Sequence, residues 1–401
     1  MSGSFDIKGW CPGALRPMLA ADGYVVRLRP KDGQLSSRQG LALADLARRY
    51  GTGVLTLTSR ANIQLRGIEA IDHPALLLAL EVEGLLDESV RVESQRNILL
   101  SPFWQANDAT QPLCVALGNA QGDTGAPLLP SKFGFVLDLG DAPYLRAASG
   151  DVRVERAQTQ SPTQEPLFWV YPEGATTGWL GHQSLVVKAA MDLAHWFVRH
   201  NGFENPRGRM RVLIERALPL PDAFQTPLDL MPPAPQAPLG AVQVGLGQGG
   251  FLVGLRFGQM SADLCSYLCG FGPLHMTPWR QIYLPQATVQ PTHPALLTDA
   301  DDPYSRIDIC TGAPACTQAL GETLSLAHEV AKILPKGRFA HLSGCAKGCA
   351  RASACDVTIV AQKGGFLWGR NAQAGNLFGP ALSQEYLLED LQSAFERPDH
   401  A

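Results

Sequence analysis

The sequence predicts a duplicated α+β fold, and three observations indicate it. Residues 23–66 resemble residues 250–284. A weaker pair of similar segments follows each copy, within 94–140 and 305–345. The two halves are separated by residues 219–238, "PLPDAFQTPLDLMPPAPQAP", whose seven prolines predict a linker. Because an internal repeat marks a repeated structural unit, we expect two small and two larger units in alternating order.

Both small units show the same succession of local signals. Alternating hydrophobic residues predict a strand at 24–28 and at 251–255, and a serine that can cap a helix follows, Ser36 or Ser261. Ser36 together with Gln39 fits a capping box. After the helix we expect one strand that ends in "TSRANIQL" or "TPWRQIYL". The repeat therefore covers a strand, a helix and a strand in each half.

The larger units resemble each other over two short segments. "SQRNILLSP" at 94–102 parallels "SRIDICTGAPAC" at 305–316, and "LPSKFGFVLDLG" at 129–140 parallels "LPKGRFAHLSGC" at 334–345. Ahead of the linker, "HQSLVVKAAMDLAHWFVRH" has helical spacing. We expect this helix to pack on the sheet of the first larger unit.

Composition bounds the class of protein. The 401 residues are 45% hydrophobic and 17% charged, and the longest apolar stretch, "ALLLALEVEGLL", is interrupted by Glu81 and Glu83, so we expect no membrane segment. A net charge of -4 argues against a general nucleic-acid binder. The start "MSGSFDIKGW" has no secretion signal, which predicts the cytoplasm, where thiols stay reduced. Nine cysteines therefore favour metal binding or core packing over disulfides.

Four cysteines in the second larger unit have no counterparts in the first larger unit. They are spaced C-x5-C and C-x3-C: Cys310, Cys316, Cys345 and Cys349. Since the first copy is expected to form the same framework without them, their presence favours a function over packing. A thioredoxin-like pair would need C-x-x-C, and structural zinc fits C-x5-C poorly, so four thiolates from two loops favour an iron–sulfur cube over these alternatives.

A further C-x3-C pair, Cys265 and Cys269, tests the packing interpretation. Aligned on the serine caps, these residues fall opposite Gly40 and Ala44 of the first copy. They are predicted to be small residues at a contact between helices.

The cysteine pattern and the duplication resemble the sulfite and nitrite reductase family. The resemblance implies ferredoxin-like half-domains at 1–70 and 241–290, larger α/β lobes at 71–218 and 291–401, a linker at 219–240, and pseudo-twofold symmetry between the halves. It also implies that the four cysteines of the second lobe ligate a [4Fe-4S] cluster. Arg60, Arg96 and Lys132 fall on motif positions that line the macrocycle and the anion site in that family.

Three departures distinguish this chain within the family. Ala346 and Lys347 stand where the reductases usually have proline and asparagine, and Gly134 stands where sulfite reductases have a second lysine after Lys132. "CPGALRPMLAADGYVVRLRP", "MTPWRQIYLP" and "SGCAKGCA" look instead like the oxygen-dependent branch of the family that acts in cobalamin biosynthesis. That resemblance implies a monooxygenase that hydroxylates precorrin-3A at a meso carbon and closes a γ-lactone, with O2 and NADH as co-substrates.

The implied substrate carries many carboxylates, which guanidinium and ammonium groups would bind. The candidate substrate residues are Arg60, Arg66, Arg96, Lys132 and Arg280, with Arg16 as a further candidate. A second, mononuclear iron is implied, but the sequence contains no H-x-D or H-x-E string, and catalytic residues stay unassigned. Candidate ligands are His182, His195, His200, His275, His293 and His341.

Other functions and partners remain as alternatives. "GLGQGG" at 245–250 precedes a predicted strand and is interpreted as a loop, so bound NAD is not expected and a separate reductase could supply electrons. A siroheme-dependent sulfite or nitrite reductase shares nearly every motif. A non-catalytic iron–sulfur protein is the second alternative.

Overall fold

The computed structural model describes residues 11–158, 165–200, 208–235, 239–244 and 247–396. Parts of three predictions lie outside these residues: the start "MSGSFDIKGW", residues 236–238 of the proline-rich stretch, and residues 245–246 of "GLGQGG". Among the described residues, no helix is both long enough and apolar enough to cross a membrane.

The strands follow one another along the chain. They are β1 (Met18–Ala20), β2 (Gly23–Leu28), β3 (Gln34–Leu35), β4 (Val54–Leu57), β5 (Ile63–Ile68), β6 (Ile98–Leu100), β7 (Phe135–Asp138), β8 (Val152–Arg156), β9 (Leu167–Pro172), β10 (Thr177–His182), β11 (Thr226–Pro227), β12 (Gly240–Val244), β13 (Gly247–Leu255), β14 (Gln259–Ser261), β15 (Leu274–Met276), β16 (Gln281–Leu284), β17 (Leu296–Leu297), β18 (Ile307–Ile309), β19 (Ala340–Ser343), β20 (Cys355–Gln362) and β21 (Gly365–Ala372).

Helices alternate with these strands. The α-helices are α1 (Ser37–Tyr50), α2 (His73–Val82), α3 (Val90–Gln95), α4 (Thr110–Gly122), α5 (Gln183–Arg199), α6 (Met210–Glu215), α7 (Ala262–Cys269), α8 (Leu324–Ile333) and α9 (Gln384–Glu396). Short 3-10 helices lie at Lys31–Gly33, Asp222–Phe224, Arg256–Gly258, Pro303–Arg306 and Ala374–Asn376. The chain is thus of the mixed α+β class.

The two small sheets exchange an edge strand. Their orders are β1-β2-β5-β4-β14 and β12-β13-β16-β15-β3. β14 of the second half pairs with β4, where Met260 lies opposite Leu55, and β3 of the first half pairs with β15, where Leu274 lies opposite Leu35. All four of these side chains belong to one buried hydrophobic core. The two small units are therefore held together both by strand pairing and by a shared core.

The helix starts predicted at Ser36 and Ser261 are confirmed. The predicted packing of Cys265 and Cys269 at a contact between helices is confirmed as well. The Ser36 side chain accepts a hydrogen bond from the backbone N–H of Gln39, which closes the capping box at the start of α1. α7 packs against α1, and the Sγ of Cys265 lies 3.5 Å from the backbone oxygen of Gly40. A Cβ at Gly40 would lie 2.3 Å from the Sγ of Cys269. The pair occupies space that only glycine leaves open on the facing helix.

The two larger sheets have matching strand directions. In the first, β6, β7 and β8 run parallel and β9 is antiparallel to β8. In the second, β18, β19 and β20 run parallel and β21 is antiparallel to β20. The predicted helix, α5, packs on β8 and β9 as expected. The two repeated segments of each larger unit thus form its first two strands.

Two local predictions are wrong. "TSRANIQL" and the residues before it form two antiparallel strands, β4 and β5, with a turn in which Ala61 has a φ of 56°. In the second half the corresponding turn places Arg280 at a φ of 59°. "GLGQGG" was predicted to be a loop, but its residues 247–250 begin β13 and pair with β12.

Candidate functional site

The four cysteines of the second lobe come from two neighbouring loops. Cys310 directly follows β18, and Cys345 follows β19, its parallel neighbour in the sheet. The carboxyl ends of parallel neighbours lie at the same edge, so the two loops meet there. The contact is direct, because the backbone N–H of Gly344 donates to the Sγ of Cys310 at 3.0 Å.

The thiols are close enough to influence one another electrostatically. Burial raises the pKa of the Cys345 thiol, and Cys310 and Cys316 raise it further. Burial likewise raises the pKa of the Cys349 thiol, and the other three cysteines add to that shift. The structure therefore brings all four predicted ligands to one place.

Glycines allow the two loops to pack this closely. A Cβ at Gly344 would lie 2.8 Å from the Cβ of Ala319 in the facing loop. Gly312 has a φ of 68°, and a Cβ there would meet the Oγ1 of Thr323 at 2.6 Å. Gly348 has a φ of 63°, a conformation that side-chain-bearing residues rarely adopt. Glycine at these three positions therefore permits the tight packing of the two loops.

The four candidate donors of these loops are all thiols. Among the residues with described positions, no three His, Cys, Asp or Glu side chains converge closely enough to hold one metal ion. In a [4Fe-4S] cube the four thiolates surround the cluster instead of converging on one atom. All nine cysteines are free, so the four thiols are available as soft donors for iron.

Arg66 connects the first small unit to the cysteine loops. Its guanidinium forms a bidentate ion pair with Asp22, at 3.0 and 2.9 Å. The same group donates to the backbone oxygen of Ala315 at 2.8 Å, next to Cys316. The substrate role of Arg66 stays a prediction, and the contacts that the structure shows hold this loop against β5.

Arg280 makes the equivalent contact from the second small unit. Its guanidinium pairs with Asp308 at 2.9 Å and donates to the backbone oxygen of Ala350 at 3.2 Å, next to Cys349. Arg351 pairs with the other oxygen of Asp308 at 3.1 Å. Arg66 and Arg280 thus support the two cysteine loops from opposite halves of the fold.

Arg60 and Lys132 lie together at the first lobe. The guanidinium of Arg60 donates to the backbone oxygen of Lys132 at 2.9 Å. Burial is the main cause that lowers the pKa of Arg60, and neighbouring Arg209 and Arg27 lower it further. These neighbouring cations, called the basic cleft below, surround Arg60 with positive charge, which the carboxylate of Asp151 partly offsets.

Arg96 is partly committed within the protein. It forms a bidentate pair with Asp87, at 2.7 and 3.1 Å, and donates to the backbone oxygen of Arg29 at 2.6 Å. Its side chain is 17% exposed. The substrate role of Arg96 stays a prediction, and it would have to be compatible with these contacts to Asp87 and to the Arg29 backbone.

Cys11, Arg27 and Arg29 were not predicted as site residues from the sequence. Burial raises the pKa of the Cys11 thiol, but Arg27, Arg60, Ser131 and Lys132 together outweigh this and lower the pKa below its ordinary value. The spacing "RLR" at 27–29 was an available signal, because alternate residues of a strand lie on one face.

The candidate histidines do not form a metal site among the described residues. His275 is buried, stacks on Trp104 and hydrogen-bonds the backbone oxygen of Pro102 at 2.7 Å, and burial lowers its pKa to about 4. His341 is fully buried beneath Gly348 and neither ring nitrogen has a hydrogen-bond partner. The others are dispersed: His182, His195, His200 and His293.

Comparisons with known proteins show what this chain is similar to. The model of the nitrite/sulfite reductase ferredoxin-like half domain matches residues 16–82. Precorrin-3B synthase of a Sinorhizobium species is 28% identical over 400 residues, covering 92% of this chain and 84% of that protein. Ferredoxin–nitrite reductase of Synechococcus elongatus is 27% identical over 399 residues, covering 85% and 76%.

A solved structure shows the fold. The Mycobacterium tuberculosis NirA protein matches with a TM-score of 0.66 at 16% identity, over 94% of this chain and 82% of that one. The family resemblance predicted from the sequence is confirmed. The chain has the nitrite and sulfite reductase fold, contains the ferredoxin-like half domain of that family, and within it resembles precorrin-3B synthase.

Proposed function

We propose that this protein is an oxygen-dependent monooxygenase that converts precorrin-3A to precorrin-3B. One oxygen atom of O2 enters the product by hydroxylation of a meso carbon with closure of a γ-lactone. The other leaves as water, with electrons and protons supplied by NADH, directly or through a reductase. A [4Fe-4S] cluster bound by Cys310, Cys316, Cys345 and Cys349 would relay electrons.

The observation that carries the proposal is the pair of arginines on and before β5. Arg60 precedes the strand and contacts the Lys132 backbone in the basic cleft, whereas Arg66 within it contacts Ala315 in a cysteine loop. One short strand thus connects a place suited to carboxylates with a place suited to an iron–sulfur cluster. A polycarboxylate tetrapyrrole needs the first, and an electron relay needs the second.

The chain's own residues have defined roles in this proposal. Arg60 and Lys132 would bind carboxylate arms and orient the macrocycle. Arg66 and Arg280 act as positioning residues that hold the cysteine loops. No described side chain is assigned as a proton donor or as the ligand of a second iron.

Gly134 argues against paired lysines of the sulfite-reducing type. A Cβ at this position would lie 2.7 Å from the Nδ2 of Asn97 and 3.2 Å from its backbone oxygen. The backbone N–H of Gly134 also donates to the carboxylate of Asp151 at 3.0 Å. A lysine side chain would therefore require Asn97 to move.

A siroheme-dependent nitrite reductase is the alternative, and it is favoured by similarity to the Synechococcus enzyme over most of the chain. An optical spectrum of the purified protein separates the two, since siroheme adds strong visible bands to the broad cluster absorption. A third candidate, a non-catalytic iron–sulfur protein, does not explain the basic cleft.

The direct test is single turnover with isotopic oxygen. Reduced protein is mixed with precorrin-3A and ¹⁸O2, and the product is analysed by mass spectrometry. We expect one heavy oxygen atom in the tetrapyrrole. An unchanged substrate mass, with cluster content and electron supply verified, would refute monooxygenation, and bound siroheme with nitrite turnover would establish the alternative.

A further inference from the structure

His341 lies in β19, just before the loop that contains Cys345 and Cys349, called the second cysteine loop below. The residue is 0% exposed. A Cβ built on Gly348 of this loop would lie 3.7 Å from the Cε1 of His341, which is the ring atom nearest to it. Cε1 is bonded to both ring nitrogens. The edge of the imidazole that carries the nitrogens is therefore turned towards the second cysteine loop.

The ring brings an unused hydrogen-bond donor into the interior. Among the described residues, neither Nδ1 nor Nε2 of His341 has a hydrogen-bond partner. A neutral imidazole has one nitrogen that donates and one that accepts, whichever tautomer is present. Burying such groups without partners costs free energy that an apolar side chain would not cost. Packing alone therefore does not explain a histidine at this position.

The polar side chains beside His341 in the sheet use their groups elsewhere. Asp308 lies opposite His341 on β18, and Thr358 lies opposite it on β20. The two carboxylate oxygens of Asp308 accept hydrogen bonds from Arg280 and Arg351, at 2.9 and 3.1 Å. The hydroxyl of Thr358 donates to a backbone oxygen of β21 at 2.7 Å. The nitrogen-bearing edge of the imidazole thus faces the loop without a bond to either neighbour.

The imidazole is neutral at ordinary pH. Burial lowers the pKa of His341 to about 4, Asp308 opposes this shift, and Arg351 and Arg280 add to it. A neutral ring adds no net charge beneath the thiols, but it keeps one N–H. What the ring contributes is therefore a hydrogen-bond donor and not a cation.

The first lobe shows that the fold does not need this histidine. Aligned over the repeated segments 129–140 and 334–345, Val136 of β7 stands at the position of His341, and Gly140 stands at the position of Cys345. β7 and β19 are both the middle strand of three parallel strands. Val136 is 1% exposed and belongs to a hydrophobic core. The position thus has an apolar side chain where the following loop lacks cysteines, which connects the histidine with the cysteines.

We propose that His341 is a positioning residue that donates a ring N–H towards the sulfur atoms held by the second cysteine loop and raises the reduction potential of the cluster. The proposal rests on the part of the proposed function that assigns a [4Fe-4S] cluster to the four cysteines. Hydrogen bonds to the sulfurs are among the factors that set cluster potentials, and they stabilise the reduced, more negative form. The competing interpretation is a histidine that only fills space, which predicts no effect on the potential.

The test measures the potential of the cluster in the full-length protein, without tetrapyrrole or oxygen. The protein is reconstituted anaerobically with ferrous iron and sulfide, iron per chain is determined, and the midpoint is found by redox titration followed by EPR. His341→Val introduces the residue of the first lobe and removes the donor. At the wild-type midpoint, we expect its ratio of reduced to oxidised cluster to be about tenfold lower, which is a shift of about 59 mV to lower potential for one electron.

Two further variants separate the donor from general effects of substitution. His341→Asn keeps an N–H, and its midpoint should lie closer to the wild type than to His341→Val. Thr358→Val removes a buried hydroxyl from the neighbouring strand at the same register and should keep the wild-type midpoint. Wild-type midpoints in His341→Val and His341→Asn would overturn the proposal, even if less iron were bound. Equal shifts in His341→Val and Thr358→Val would also overturn it.

Pulsed EPR of the reduced cluster tests the contact in the wild type itself, and it serves if His341→Val does not fold. In protein labelled with ¹⁵N-histidine we expect a weak nitrogen coupling that is lost in His341→Val. Absence of this coupling, or its persistence in His341→Val, would refute the contact. Failure of the proposed function has a different signature. A shifted midpoint with no ¹⁸O in precorrin-3A would support the role of His341 and refute monooxygenation, whereas a wild type that binds no cluster would refute the role of His341 and the cluster together.

Discussion

The guanidinium of Arg66 donates to the backbone oxygen of Ala315 at 2.8 Å, across 249 positions of the chain. This bond joins the first small unit to the loop that contains Cys310 and Cys316. Asp22 accepts two hydrogen bonds from the same guanidinium, so the ion pair orients the arginine towards the loop. A cluster bound there would depend on a residue that is not itself a ligand.

Replacing Arg66 with glutamine should weaken both the fold and cluster retention. The ion pair is largely buried, at 16% and 22% exposure, so Asp22 would lose its partner and stability should fall by about 1–3 kcal/mol. Iron per chain after gel filtration and urea unfolding measure the two effects. Arg38→Gln, which breaks an exposed pair with Glu83, is the control and should cost at most about 1 kcal/mol. Unchanged iron retention in Arg66→Gln would contradict the role.

The two C-x3-C pairs should respond differently to serine. Cys345→Ser removes a proposed cluster ligand and should abolish the brown absorbance and most of the iron. Cys265→Ser replaces a thiol that contacts the facing helix at Gly40 and should leave the iron content unchanged. Both residues are buried, so the comparison is matched for burial. Equal iron content in the two variants would contradict the assignment of Cys345 to the cluster and of Cys265 to helix packing.

Gly134→Ala should destabilise the first lobe without creating activity. The added Cβ would lie 2.7 Å from the Nδ2 of Asn97, whose own hydrogen bond to Phe133 at 2.7 Å would be strained. Overpacking of this kind costs about 1–3 kcal/mol. Gly125→Ala is the control, because nothing lies within 4 Å of a Cβ there. Denaturant midpoints that fall equally in both variants would argue against the steric explanation.

Most of the fold was predictable because its signals are local. The Ser36 cap, the alternating residues of β2 and the helical spacing of α5 each lie within one segment. The exchanged strands β3 and β14 were not predicted, since two or three residues show no period. The turn before β5 was missed because its left-handed residue is Ala61 and not glycine.

The candidate site was predictable only in part, because partners distant in sequence decide what an arginine does. The spacing of the four cysteines predicted two loops, and the structure has the cysteines in two loops that contact each other. By contrast, the residues around Arg96 in the sequence do not indicate that Asp87 and the backbone oxygen of Arg29 accept hydrogen bonds from its guanidinium. Arg29 itself is distinguished by burial without a partner, which no sequence pattern expresses.

His275 should make stability depend on pH in a defined window. Burial lowers its pKa from the ordinary 6.5 to about 4, so the folded state disfavours the protonated ring. Below the higher value the unfolded chain binds a proton that the folded chain does not. Stability should therefore be complete above pH 6.5 and decline as the pH falls towards about 4.

The size of this effect is about 3 kcal/mol, from about 1.36 kcal/mol per unit of pKa. Urea unfolding at intervals across the window measures it. His275→Asn keeps a donor for the Pro102 carbonyl but cannot titrate, so it should show a shallower decline. His341, whose pKa burial also lowers to about 4, would remain in both proteins, and only the difference in slope tests His275. Identical slopes would refute the assignment.

Gly40 and Cys269 should be energetically coupled, because each occupies the space that the other leaves. Gly40→Ala alone places a Cβ 2.3 Å from the Cys269 Sγ, and overpacking should cost about 1–3 kcal/mol. Cys269→Ala alone should be milder, since it removes one buried sulfur. In the double variant the new methyl group occupies the space of the deleted thiol, so the combined loss should be smaller than the sum of the single losses.

Thermal or urea unfolding of the four proteins measures this coupling, which should exceed about 0.5 kcal/mol for residues in contact. Cys114→Ala combined with Gly40→Ala is the control, because Cys114 belongs to the separate core of the first lobe and should be additive. Since glycine in α1 is itself unfavourable by up to about 1 kcal/mol relative to alanine, the double variant could even match the wild type. Strict additivity of Gly40→Ala and Cys269→Ala would show that the helices separate to admit the methyl group, and the close contact would then not be what keeps glycine in α1.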